Sequence, residues 1–226
     1  MRHITTTLSI RDERVVAEAG SEVFAHDGSV VYAYDGSEVY ANAGATVYAR
    51  DDSVVHAYDG SEVYASDGAE VFAAEGSEVC ALAESTVADE GTTVFAHAGS
   101  WVYARVGSVV DAYDGSVVHA YDDSTIHAHD GSTVKAYDGS VVHAYDGSVV
   151  HAYDGSKVFA AEGSEVSAHA GSWVYVRVGS TVTAHPGSEV YADRGATVYA
   201  YDGSEVHADE GAWLIGKGHP DTKDVP

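Results

Sequence analysis

The chain has 226 residues, a formal net charge of −25 and a single cysteine, Cys80. An acidic surface repels nucleic acid and anionic membranes, so neither is expected as a partner. One cysteine cannot form an intramolecular disulfide. No apolar run reaches the roughly 18 residues of a membrane span, and the N-terminus lacks the apolar core of a signal peptide. We therefore expect a soluble acidic protein, cytoplasmic by default, with export without a cleavable signal left open.

Residues 4–10 alternate, with Ile4, Leu8 and Ile10 on one side. This alternation predicts a β-strand. It departs from the repeat that follows, and the first strand of a repeat array otherwise exposes unpaired backbone groups. We therefore predict that residues 1–11 form an N-terminal cap strand.

Residues 12–218 repeat an octad, Gly-Ser-x-Val-x-Ala-x-Asp, whose residues we call positions 1 to 8. Positions 2, 4 and 6 are nearly constant and small, whereas positions 3 and 5 vary widely. Because alternate residues of a strand share a face, Ser, Val and Ala are predicted to point inward and the variable pair outward. Asp-Gly at positions 8 and 1 predicts a turn, since Gly accepts a positive φ.

One octad cannot bury its own inner face, so the octads must stack. The pattern predicts an all-β parallel β-solenoid (β-helix) with two octads, or 16 residues, per coil, because Ser, Val and Ala are too small to fill a wider triangular interior. The segment at 97–108 recurs almost unchanged at 169–180, nine octads later. With two octads per coil, these copies lie on opposite sheets; three octads per coil is the alternative.

Two segments interrupt the pattern. The unit at 84–90 has seven residues, and we expect a bulge or a tighter turn to absorb the missing one. Residues 219–226 contain two prolines and no periodicity, which predicts a flexible C-terminal tail. The bulky run Trp213, Leu214 and Ile215 is expected to close the C-terminal end of the array.

Ser, His and Asp recur throughout the array, but geometry argues against a hydrolytic triad. A Ser at position 2 points inward and a His at position 5 points outward, so the two cannot meet within one unit. We therefore predict no enzymatic activity, no catalytic residue and no cofactor.

Metal binding remains an alternative at five residues. His127 and His143 occupy position 5 two octads apart, and stacked imidazoles could hold a divalent metal. Asp138, Asp146 and Asp154 belong to an unbroken series at position 8 that calcium could neutralise. The simpler interpretation is that all five are solvated surface residues.

Aromatic side chains also recur at outward positions, as in Trp101 with Tyr103 and Trp173 with Tyr175. Rows of this kind can stack on sugars or on another protein. They can equally be cross-strand pairs that stiffen an exposed sheet.

Written from position 6, the unit is Ala-x-x-Gly-Ser-x-x-x, as in Ala144-Tyr145-Asp146-Gly147-Ser148. Over residues 12–218 it resembles the octapeptides in the central domain of bacterial ice nucleation proteins, and bacterial octapeptide arrays of unassigned role. The resemblance to the ice family implies a β-solenoid of 16-residue coils whose outward Thr-x-Thr rows order water. Such rows would fall at positions 3 and 5 of the octads, where only Thr181 and Thr183 match them.

Together these observations predict a non-enzymatic structural or interaction repeat protein, acting as a rigid acidic rod or a self-associating scaffold. A homo-oligomer formed through terminal coils or aromatic rows is the expected partner arrangement. An ice-binding or calcium-binding solenoid is the first alternative. An acidic DNA mimic, which pentapeptide-repeat solenoids resemble in charge and length, is a further one.

Overall fold

The computed structural model describes residues 1–66, 68–74, 76–81 and 92–216. They fall into two compact units, divided between Val118 and His119. The first unit contains β1 (Arg2–Ile4), β2 (Leu8–Ile10), β3 (Arg14–Ala17), β4 (Glu22–Ala25), β5 (Val30–Ala33), β6 (Glu38–Ala41), β7 (Thr46–Ala49), β8 (Val54–Ala57), β9 (Glu62–Ala65), β10 (Glu70–Ala73), β11 (Glu78–Ala81), β12 (Thr93–Ala96), β13 (Trp101–Ala104) and β14 (Val109–Ala112).

The next strand, β15 (Val117–Ala120), contains the boundary between the units. The second unit continues with β16 (Thr125–Ala128), β17 (Thr133–Ala136), β18 (Val141–Ala144), β19 (Val149–Ala152), β20 (Lys157–Ala160), β21 (Glu165–Ala168), β22 (Trp173–Val176), β23 (Thr181–Ala184), β24 (Glu189–Ala192), β25 (Thr197–Ala200), β26 (Glu205–Ala208) and β27 (Trp213–Ile215).

Within each unit the odd-numbered strands form one parallel sheet and the even-numbered strands form another, both in sequence order. Each strand pairs with the equivalent residues one coil away. In the first unit Val31 pairs with Val47, and in the second Val142 pairs with Val158. The two residues of each pair are two octads apart in sequence, so the prediction of a parallel β-solenoid with two octads per coil is confirmed.

The repeated twelve-residue segment has the placement that two octads per coil require. Trp101 of the first copy lies on the odd-numbered β13, and Trp173 of the second copy lies on the even-numbered β22. The same local sequence therefore forms a strand in either kind of sheet.

Residues 1–11 contain two short strands, β1 and β2, one in each sheet. β1 pairs with β3 and β2 pairs with β4, and Ile4 and Ile10 are buried beneath them.

The two strands before the seven-residue unit pair directly with the two after it, β10 with β12 and β11 with β13. Val71 pairs with Val94, and Val79 pairs with Val102. The residues of each pair are separated in sequence by two octads plus the short unit, so the ladder passes over that unit. The bulge or tighter turn expected within residues 84–90 stays a prediction. Residues 84–90 themselves, and the predicted tail at 219–226, lie outside the described residues.

The inner face is as the alternation predicted. Ser140, Val142 and Ala144 are each 0% exposed, and Val141 and His143 between them are half-buried. Burying a Val side chain contributes roughly 1.5 kcal/mol or more. Since the inner face repeats from coil to coil, this small core is extended along each unit.

Each turn spans positions 7, 8, 1 and 2. At 137–140 the Ser140 amide donates to the Tyr137 carbonyl at 3.0 Å, and Gly139 has a φ of 73°. A positive φ at the third residue is typical of a type II turn. The Ser140 hydroxyl donates to the same carbonyl at 2.5 Å, so the buried Ser finds its partner within its own turn. The Gly139 amide donates in turn to the Gly155 carbonyl of the next coil at 3.2 Å.

Two turns carry Asp-Asp in place of Asp-Gly. In both, the two central residues have positive φ: 51° and 57° at Asp51 and Asp52, and 39° and 58° at Asp122 and Asp123. Two successive positive φ values are typical of a type I′ turn. The Ser hydroxyl that follows each of these turns, Ser53 or Ser124, is buried without a hydrogen-bond partner among the described residues.

Asp123→Gly is therefore expected to stabilise the chain by about 1 kcal/mol, because Gly adopts a positive φ without the steric penalty of an L side chain. The urea-unfolding midpoint measures the change. Asp138→Gly, in an Asp-Gly turn where only Gly139 has a positive φ, is the control and should not stabilise. A fall in stability for Asp123→Gly would contradict the interpretation.

Candidate interaction surface

Outward rings at position 5 stack from coil to coil. On the even strands of the first unit, successive ring centroids lie 4.7–5.1 Å apart with interplanar angles of 9–12°. We call this row the strand ladder: Phe24, Tyr40, His56, Phe72 and Phe95. The spacing matches the distance between neighbouring strands, so each ring lies against the next across the ladder.

A second row lies in the turns, at position 7. Its centroids are 4.6–5.3 Å apart and its planes are within 8° of parallel. We call it the turn ladder: Tyr121, Tyr137, Tyr153, His169, His185 and Tyr201, all in the second unit. The sequence reasoning missed this row, although the recurrence of Tyr or His at position 7 of every second octad could have indicated it.

Tyrosine hydroxyls on the outer face are held by acidic neighbours. Tyr40 donates to Glu38 at 2.5 Å, and Tyr175 donates to Asp193 at 2.9 Å. The bond to Glu38 is the main reason that the pKa of Tyr40 is raised to about 12. These contacts hold the rings in fixed positions on the outer face.

The two histidines predicted as a metal pair are neighbours. His127 of β16 pairs with His143 of β18, and their ring centroids are 5.5 Å apart at an angle of 59°, so the rings are tilted rather than stacked. Burial lowers the pKa of His143, and His127 and Arg177 lower it further. Within the described part of the chain, no group of three or more His, Cys, Asp or Glu residues is arranged to hold a metal ion. Metal binding by this pair stays a prediction.

The three predicted calcium ligands lie in turns at two edges. Asp138 and Asp154 follow the odd strands β17 and β19, whereas Asp146 follows the even strand β18. All three are exposed, but each packs beneath the glycine of the next coil. A Cβ atom added to Gly155 would lie only 2.4 Å from Oδ1 of Asp138; the equivalent distances are 1.7 Å from Asp146 and 1.9 Å from Asp154. These carboxylates thus pack against the turns of the next coil, and calcium binding by them stays a prediction.

Chelation is accordingly expected to leave the melting temperature unchanged. Sodium chloride should raise the melting temperature as much as calcium chloride of the same ionic strength, because both screen the repulsion among acidic groups. Thermal melts with chelator and with each salt make the comparison. A rise that is specific to calcium would instead support ligation by the turn carboxylates.

The turn ladder contains a stacked pair of histidines. His169 and His185 are stacked at 4.6 Å with an interplanar angle of 2°, and His151 lies 6.5 Å from His169. Burial lowers the pKa of His169 below 6.5, and His185 and His151 lower it further. The unfolded chain therefore binds this proton more tightly than the folded chain.

The contribution of His169 to the free energy of unfolding should therefore be fully present above a pH of about 6.5, the pKa of the unfolded chain. It should decline as the pH falls below that value. His169→Phe keeps a ring in the row but removes the proton, so the decline between pH 7 and 5 should become shallower. Urea unfolding at each pH measures the free energy of unfolding and hence the steepness of this decline. Tyr153→Phe changes a neighbouring ring of the same row but keeps every histidine, and it serves as the control. An equally steep decline in His169→Phe would show that the stacked pair is not its source.

The Thr pair compatible with ice binding is not repeated on the two strands beside it. Thr181 lies between Glu165 and Thr197 in the ladder, and Thr183 lies between Ser167 and Tyr199. Neither of these two neighbouring strands repeats the Thr-x-Thr pair. The extended Thr array implied by the family resemblance is thus absent around β23.

No family model and no curated protein matches the chain. Among solved structures, it is similar to the crystal structure of a TibC-catalysed hyper-glycosylated fragment of TibA. The TM-score is 0.55 at 13% identity, over 96% of this chain and 91% of that one. At this identity the likeness shows the fold alone: the chain is a parallel β-solenoid repeat protein. The resemblance to ice nucleation repeats stays a prediction. In the described ranges, no helix is long and apolar enough to cross a membrane.

Proposed function

We propose that the chain is a non-catalytic interaction scaffold that self-associates through its aromatic rows. The observation that carries the proposal is the regular stacking of outward rings above a uniform core. On the odd strands of the first unit, Tyr32, Tyr48 and Tyr64 stack at 5.1–5.2 Å. Tyr48 is 38% exposed and Tyr64 is 37% exposed. Ordered and partly exposed rings bind a partner with little loss of side-chain entropy.

The absence of catalysis is supported by the division of polar groups between the two faces. The Ser140 hydroxyl is buried and donates to the Tyr137 carbonyl, whereas His143 of the same octad lies on the outer face. A nucleophile and its base must be within hydrogen-bond reach. The inward Ser side chains therefore serve the turns.

Sedimentation velocity over the micromolar range tests the proposal. The sedimentation coefficient should rise with concentration, and added salt should favour association by screening the charge of −25. The double variant Tyr48→Ser/Tyr64→Ser should weaken association, whereas Thr46→Ser on the same face should not.

A strict monomer at every concentration would contradict self-association. Association that survives the Tyr substitutions would point to the terminal coils instead. A droplet-freezing assay run beside it is expected to show no raised freezing temperature. A monomer that shifts freezing would favour the ice-binding alternative.

A further inference from the structure

On the even strands of the second unit, the stacking of rings is interrupted at the tilted pair His127 and His143 and again at Trp173. Trp173 of β22 is inclined by 72° to Phe159 of β20, at 5.9 Å, and by 46° to Tyr191 of β24, at 5.4 Å. In the strand ladder, whose rings all occupy position 5, the angles do not exceed 12°.

Trp173 occupies position 3, with Lys157 and Glu189 as its ladder partners, so it meets these rings diagonally. Parallel stacking covers each ring face with the next ring. Here the indole does not lie flat on either neighbour.

A recess of about 500 Å³ opens where the stacking fails, in the volume range of about 300–1,000 Å³ that small-ligand sites occupy. Its walls are the rings of Phe159 and Trp173, the side chain of Lys157, and the turn residues Gly155, Ser156 and Gly171. His143 stacks on Phe159 at 5.2 Å and 13°, which holds that ring in place. The recess is therefore a largely apolar hollow with one cation at its edge.

A second recess, of about 310 Å³, shares Phe159 with the first. It is lined also by His143, Tyr145, Ala161 and Arg177. Each recess thus combines aromatic side chains with one basic residue. Two of the chain's 11 basic residues, Lys157 and Arg177, therefore lie beside one aromatic cluster.

We propose that these two recesses bind successive sugar units of a short acidic oligosaccharide, with Phe159 between them. The C–H face of a pyranose ring is apolar and packs against an aromatic face, while its hydroxyl groups remain in water. Lys157 pairs with the carboxylate of one uronic acid unit and Arg177 with that of the next. This binding function goes beyond self-association and does not depend on it.

The chain contains a matched control for this site. Trp101 lies in the other copy of the twelve-residue segment, with Glu78 and Cys80 on the neighbouring strand. At Trp173 the corresponding neighbours are Lys157 and Phe159. The local sequence around the two Trp residues differs only in Ala104 against Val176, but Trp101 has an acid in place of the cation and a thiol in place of the ring.

The test is isothermal titration of the full chain with a short oligogalacturonate, beside a neutral cello-oligosaccharide of the same length. Trp173→Ala should weaken oligogalacturonate binding about tenfold or more, corresponding to the loss of one stacked ring face. Lys157→Glu, which reproduces the acid found beside Trp101, should also weaken it. Trp101→Ala should bind like the unmodified chain, and added salt should weaken binding.

Thermal melts of each variant establish that it is folded. If Trp173→Ala does not fold, the surface variant Lys157→Glu still tests the site. Equal losses in the two Trp variants would overturn the proposal. So would a neutral oligosaccharide that binds as tightly as the oligogalacturonate, or an unmodified chain that binds neither.

Discussion

Val142→Asp is expected to destabilise the second unit by several kcal/mol, about 3–5, or to prevent its folding. Val142 is 0% exposed and pairs with Ile126 and Val158 on either side, so no polar partner is available for a carboxylate. Burying an unpaired charge is among the most destabilising single changes. Urea unfolding measures the global loss, and amide hydrogen exchange in β18 and its neighbours measures the local one.

Val141→Asp is the matched control, one residue away on the outer face. Val141 is half-buried between Thr125 and Lys157, and an Asp there gains a basic neighbour. Its cost should stay below about 1 kcal/mol, mostly from the lower β-propensity of Asp. Equal effects of the two substitutions would refute the assignment of the inner face.

Gly163→Ala is expected to have the next largest effect, about 2–4 kcal/mol, from two causes that add. Gly163 has a φ of 80°, which an L residue adopts only with strain. A Cβ atom there would also lie 1.7 Å from Oδ1 and 2.7 Å from Cγ of Asp146, so the Asp side chain would have to move. The loss should appear in the urea midpoint and in hydrogen exchange of β18 and β20.

Gly20→Ala separates the two causes. Gly20 has a φ of 74°, but no atom lies within 4 Å of the position its Cβ would take. Only the backbone penalty of about 1 kcal/mol should remain there. Adding Asp146→Ala to Gly163→Ala should recover the difference between the two sites. If the double variant recovers nothing, the carboxylate does not require the glycine above it.

The inner face could be predicted from the sequence because its cause is local. Val142 and Ala144 are two residues apart on a strand, and the period of two places them on one face whatever the neighbouring coils contain. The small size of Ser, Val and Ala also indicated a thin core with two octads per coil. These inferences needed only the alternation and the volume of the side chains.

The outer features could not be predicted in the same way, because they depend on which residues meet across coils. The tilt of Trp173 follows from its neighbours Phe159 and Tyr191, which belong to the preceding and the following coil. His169 stacks on His185 because turns repeat at the same spacing as strands. The alternation of strand residues says nothing about position 7, which lies in the turn. The direct pairing of Val79 with Val102 could be recognised only from the pairing of strands in the structure.

The placement of Trp101 on an odd strand and Trp173 on an even strand has a consequence for how such an array grows. The nearly identical segments around them form strands of either sheet, so an octad carries no information about which sheet it will join. If the codons for one octad are duplicated, every later octad moves to the other sheet. Its Ser, Val and Ala side chains are still buried. The gene can therefore lengthen by single octads, an increment half as large as one structural coil. Each such step brings new outer residues beside one another without altering the core.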